Sequence, residues 1–207
     1  GLVEHGALAP TVVKCISRCI EADSTRNKTK YAPKLVRGLH FVSSSNHNKQ
    51  PPPAAAQDYE GGAVFMSDLP STGLAPGSEH FDITIEACRF SGFAALHGGA
   101  IYVVNMRARL KIADSIFDHN TAIDGQGGAV SIDTSTDVVL DRVHCEENRA
   151  NHNLTKLGHG GCLSVTSDAE EGLPSRVVVN AFTSRGDQAT QYGGAVYVGR
   201  SSAMTMT

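Results

Sequence analysis

One hexapeptide occurs five times in this chain of 207 residues, and few sequence features restrict a fold more. It reads GGAVFM from Gly61, GGAIYV from Gly98, GGAVSI from Gly127, GGCLSV from Gly160 and GGAVYV from Gly193, at spacings of 37, 29, 33 and 33 residues. The fourth position holds Val64, Ile101, Val130, Leu163 and Val196, and the sixth holds Met66, Val103, Ile132, Val165 and Val198. Between them stand Phe65, Tyr102, Ser131, Ser164 and Tyr197, a mixed set that water tolerates. Aliphatic residues two apart around a mixed one have the period of a strand with one buried face. The third position accepts only Ala63, Ala100, Ala129, Cys162 and Ala195, so a neighbour packs closely there.

A second segment precedes each hexapeptide. Anchored on Phe41, Phe90, Phe117, Cys145 and Phe182, it carries Val36, Ile85, Ile112, Leu140 and Val177 five places earlier. Three places after the anchor come Ser44, Phe93, Asn120, Asn148 and Arg185, where Asn suits a turn by bonding nearby backbone and tolerating left-handed conformations. Two short strands per unit of about 30 residues cannot bury their apolar faces alone, and stacking equivalent strands of successive units solves this. The expected fold is all-β: a parallel β-helix, or β-solenoid, of about five coils, some 24 Å tall at the usual strand spacing. Helical repeats would need amphipathic segments of about 10 to 12 residues. A β-sandwich would not require the same residue type at five equivalent positions.

Spacing and composition place the remaining parts. Residues 34–207 read as the solenoid, with a Pro-rich insertion at 45–60 containing Pro51 to Pro53. Residues 1–33 read as a cap or an incomplete preceding coil, with a strand at Thr11 to Ile16. With no initiator Met and no apolar leader, the chain reads as a piece of a longer protein. A formal charge of −3, no polybasic tract and no apolar run of about 20 residues argue against a nucleic-acid partner and against membrane insertion of this segment.

The motif pair, GGA followed by Ile, Val or Leu together with Phe117-x-x-Asn120, resembles the repeats of chlamydial polymorphic outer membrane proteins, which also occur in surface proteins of algae and other protists. The resemblance spans about residues 34 to 198. It implies a right-handed β-helix exposed at the cell surface or outside the cell, with adhesion as its usual role. The Phe-x-x-Asn signature is intact only once, and no membrane barrel is present in this segment. The implied partners are other protein subunits, copies of the same chain, or a host or cell-surface protein, with glycans as a further class.

The five cysteines are Cys15, Cys19, Cys88, Cys145 and Cys162. An odd number leaves one thiol over. Cys15 with Cys19 is the expected disulfide, whereas Cys145 and Cys162 read as small apolar thiols replacing an inward Phe and an Ala. The sequons at Asn27 and Asn153 are candidate glycosylation sites in loops.

Parallel β-helices include polysaccharide lyases and glycosidases, which need clustered carboxylates. Asp114, Asp118, Asp133 and Asp141 each stand in a column whose other members are not acidic; Asp114 shares its column with Gly38, Ala87, Arg142 and Val179. Gly158-His159-Gly160 resembles a polygalacturonase motif but lacks the accompanying paired aspartates. His97 and His159 share a column interrupted by Gln126, and two ligands that skip a coil, about 10 Å apart on the strand spacing, cannot share one ion, so they read as solvated or turn-bonding. No catalytic residue, cofactor or metal is expected. Asp124-Gly125-Gln126-Gly127-Gly128 occurs once, whereas calcium-binding repeats need consecutive coils. Tyr102 and Tyr197 are candidates for a ligand or partner face that stacks sugar rings, against a reading as cross-strand packing. A non-catalytic structural or adhesive module is the first expectation; a carbohydrate-active enzyme or binding module of the pectate-lyase-like type is the alternative.

Overall fold

The computed structural model describes residues 34–38, 40–42, 62–67, 83–123, 125–135, 137–151, 158–167, 174–199 and 201–207. All of its regular structure is β, in four parallel sheets that wind as a solenoid. Within one turn the chain makes Leu110–Ala113 on face one, Ile116–Asp118 on face two, Thr121–Ala122 on face three and Val130–Asp133 on face four. Four turns are complete; three strands of an earlier one precede them and Ser202–Met206 follows. Among the described residues face one therefore has six strands, faces two and four have five, and face three has four.

The aliphatic files are continuous. Val64, Ile101, Val130, Leu163 and Val196 are direct partners along face four. The first four are buried, and Val196 packs against them from the last turn. Phe90 and Phe117 stack on face two with ring centroids 4.9 Å apart and planes within 6°.

The glycine pair has two separate reasons. Gly98, Gly127, Gly160 and Gly193 have φ between 50° and 68°, the left-handed region that glycine enters without penalty. The second glycine needs the absence of a Cβ for packing: a Cβ on Gly62, Gly99, Gly128 or Gly161 would stand 2.0 to 2.2 Å from the carbonyl oxygen of the equivalent glycine one coil on. The corner between faces one and two is also left-handed, in Gly38, Ala87, Asp114, Arg142 and Ala181.

Three expectations are corrected. In the last turn, Cys145 pairs with Ser184 and Leu140 with Val179, so the register lies two residues beyond the anchors Phe182 and Val177. Ala181 accordingly takes the place expected for Val179 beside Asp114 and Arg142. A shift of two keeps every side chain on its own side of the sheet, so alternation alone does not detect it. Second, the fifth hexapeptide position is covered more than its mixed residues suggest: Tyr102, Ser131 and Ser164 are buried, and Phe65 and Tyr197 are half-buried. Third, Asn120 and Asn148 do not take the left-handed conformation, which falls on His119 and Glu147 just before them, and they bond the preceding coil instead of local backbone. Asn120 accepts at Oδ1 from the Phe93 N–H (3.0 Å) and donates from Nδ2 to the Phe90 carbonyl (3.1 Å). Asn148 accepts at Oδ1 from Asn120 N (3.0 Å) and Nδ2 (2.9 Å) and donates to the Phe117 carbonyl (3.0 Å). Asp187, in place of the expected Arg185, ends this ladder by accepting from Asn148 N and Nδ2, both at 2.8 Å.

Candidate functional sites

The expectation that each candidate acid has no acidic column-mate is corrected at two of them: Asp118 is paired directly with Glu146 on face two, and Asp141 shares its column with Glu86. All four candidates nevertheless bond neighbouring side chains. Asp118, buried on face two, accepts from Arg89 Nε (3.0 Å) and Nη2 (3.1 Å) and from Ser91 Oγ (2.9 Å). Burial pushes its carboxyl up, but the hydrogen bonds from Arg89 and Ser91 outweigh it, and the group is held below the usual carboxylate range. Asp114 takes Arg142 Nε at 2.6 Å and Nη2 at 2.8 Å, while Arg142 Nη1 reaches Asp141 at 2.7 Å. The hydrogen bond from Arg142 also lowers Asp114. Asp133 accepts from its neighbour Thr134 at 3.2 Å. Glycoside hydrolysis needs one carboxyl raised to act as an acid. Asp114 and Asp118 are displaced in the opposite direction.

The aromatic residues on and beside face four form two clusters instead of one strip. Tyr102 is packed between Phe65 (centroids 5.6 Å apart) and His97 (5.3 Å). Three coils on, Tyr197 stacks on His159 at 4.3 Å, and Tyr192 covers the same imidazole at 5.2 Å with planes within 11°. Between the clusters lie Ser131 and Ser164, the latter donating to Gln126 Oε1 at 3.0 Å. His159 is thus neither solvated nor turn-bonded through its ring. It is only 5% exposed, and its Nδ1 has no hydrogen-bond partner among the described residues. Burial pushes its pKa down. The reason is the column itself, in which Gln126, His159 and Tyr192 pair in register and bring the rings face to face. Tyr192, not singled out from the sequence, is the exposed member at 58%.

The cysteines give the largest correction. Cys145 and Cys162, expected as separate apolar thiols, are joined in a disulfide, with Cα atoms 6.1 Å apart. They belong to facing columns of one coil, and the column-by-column reading compares equivalents along the solenoid without asking which columns face across it. The available signal was that both departures, from Phe and from Ala, fall in the same unit. Asp187 of the next coil brings a carboxylate oxygen to the same place. Cys88 is buried, and its thiol donates to the Glu86 carbonyl at 3.3 Å. The expected pair Cys15 and Cys19, the sequons Asn27 and Asn153, the strand at 11–16 and the insertion at 45–60 lie outside the described residues. Among the described residues no helix is long and apolar enough to cross a membrane.

Compared with protein-family models, with curated proteins and with solved structures, the chain matches none.

Proposed function

We propose that this solenoid is a non-catalytic structural or adhesive module of the cell surface or the extracellular space. The observation that carries the reading is how each coil uses its buried polar side chains. Asn120, Asn148, Ser115, Ser135 and Ser175 all bond the coil beside them, so the stack is held coil to coil. Among the described residues each sheet ends in a strand with one neighbour in the sheet, such as Ser202–Met206, and an edge strand is a template for adding a further strand. This suits attachment to other subunits, to copies of itself, or to a surface protein or glycan. The Cys145–Cys162 disulfide supports an oxidising compartment, where such bonds persist. Glycans on Asn27 or Asn153 would fit the same setting.

The test is to secrete the oxidised chain from a eukaryotic host. Its self-association would be measured by sedimentation, its attachment to intact cells and immobilised glycans by surface binding, and its turnover of pectic polysaccharides by release of reducing or unsaturated ends. Self-association or attachment without turnover is the expected result; depolymerisation that Asp118→Asn abolishes would overturn it. A second reading, sugar binding without turnover, is favoured by the exposed Tyr192 ring lying parallel to His159. It predicts glycan retention that Tyr192→Ala removes.

A further inference from the structure

Three columns change residue type at one place along the solenoid, and the changes converge. The register of face two runs Phe41, Phe90, Phe117 and then Cys145. The third hexapeptide position runs Ala63, Ala100, Ala129 and then Cys162 before returning to Ala195. The amide ladder runs Asn120, Asn148 and then Asp187. The two Sγ atoms and a carboxylate oxygen of Asp187 all lie within 4.8 Å of one another.

The disulfide accounts for two of these changes and leaves the third unexplained. An oxidised pair of sulfurs needs no carboxylate, and Asn at 187 would offer the same oxygen to Asn148. A half-buried carboxylate with no cationic partner among the described residues costs solvation that an amide does not. Its orientation is nevertheless held: Asn148 donates twice to Oδ1, and Ser184 Oγ donates to Oδ2 at 2.5 Å.

We propose that Cys145, Cys162 and Asp187 of the reduced chain form a three-ligand site for Zn2+, which disulfide formation abolishes. Two thiolates and one carboxylate are a donor set that zinc accepts, and water completes a tetrahedron. Asn148 and Ser184 are the outer contacts that aim the carboxylate. The exchange balances: an external thiol or phosphine supplies two electrons, two protons convert the disulfide into two thiols, and the ion displaces those protons when it binds. An external disulfide reverses this by taking up the two electrons and leaving as two thiols, and the ion is freed because a disulfide sulfur is no longer a thiolate. The same point of the coil is therefore closed by a covalent bond in one state and by a metal in the other. This does not depend on the reading as a surface module.

The test uses the full chain carrying Cys15→Ser and Cys19→Ser, so that the N-terminal pair cannot bind metal. It is reduced with a phosphine, desalted without oxygen and titrated with Zn2+ against a chromophoric chelator, with Co2+ as a spectroscopic stand-in. Expected are one Zn2+ per chain, a sulfur-to-cobalt charge-transfer band in the near ultraviolet, and no binding once the protein is oxidised. Asp187→Asn keeps the ladder oxygen, so it folds and forms the same disulfide but binds Zn2+ at least about 10-fold more weakly. Wild-type affinity in Asp187→Asn overturns the proposal, as does a reduced parent chain that binds no Zn2+ or shows no charge-transfer band. Should Cys145→Ser fail to fold, Asp187→Asn still decides the matter.

Discussion

Leu163 and Val196 occupy the same inward file one coil apart, yet Leu163 is buried and Val196 only half so. In the next inward file, Val165 is 0% exposed and its partner Val198 is 40% exposed. On face two, Phe117 and Asp118 of the interior turn are buried, whereas Thr183–Arg185 of the last turn is exposed throughout. The residue types barely differ along the two inward files. What differs is whether a further coil lies on the far side. In a parallel solenoid each turn supplies half of its neighbour's core, so stability is close to a sum of nearest-neighbour terms, and the same substitution has a different cost at different heights.

The sharpest break of this comparison is at glycine. A Cβ on Gly128 meets the Gly161 carbonyl oxygen at 2.0 Å and Arg149 backbone at 2.6 Å, whereas one on Gly194 finds its nearest atom at 3.9 Å. Gly128→Ala is expected to cost about 3 kcal/mol or more and Gly194→Ala less than about 0.5 kcal/mol, read from urea unfolding midpoints. Next comes the aliphatic file. Leu163→Ala should lose about 3 kcal/mol and Val196→Ala about 1 kcal/mol by the same measurement, and equal losses would mean that the last turn is covered in solution. Third is the amide ladder. Asn148→Ala strips partners from buried groups of Asn120 and Phe117 and should cost about 2 kcal/mol, whereas Asp187→Asn in the oxidised protein should cost little.

The smallest effect is a pH dependence. Burial lowers the His159 pKa below its unfolded value of 6.5, so the folded chain binds fewer protons than the unfolded one as the solution is acidified. The stability from this residue is therefore fully present above about pH 6.5 and is lost as the pH falls through the lower folded value. His159→Gln, which repeats the residue found at 126 in the same column, should flatten that slope relative to the parent. An unchanged slope would mean that the imidazole is solvated.

The hexapeptide strand and the inward files were legible because Gly-Gly-Ala and the flanking aliphatics each serve a contact repeated in every coil. The expected two strands per unit are four, however: the second segment breaks at a left-handed corner, and the two-residue strand of face three is too short to show a period. The slip in the last turn was not legible, since displacing Phe182 and Val177 by two positions preserves the alternation on which the alignment rested. Nor was the packing of His159, which depends on Tyr192 and Tyr197 of the next coil arriving from two different columns. The disulfide escaped for a related reason: Cys145 and Cys162 are 17 residues apart on separate strands, and their distance depends on the cross-section of the coil. The length of the turns between strands sets that cross-section, and turn length varies from unit to unit.

The repeated columns by themselves determined that this chain stacks strands in parallel and which side of each strand faces inward, because a period of two and a glycine with no room for a Cβ are local demands. Only the tertiary structure decided which columns meet across the interior. The contact of Cys145 with Cys162 is made between strands joined through corners and turns whose geometry no single repeat encodes.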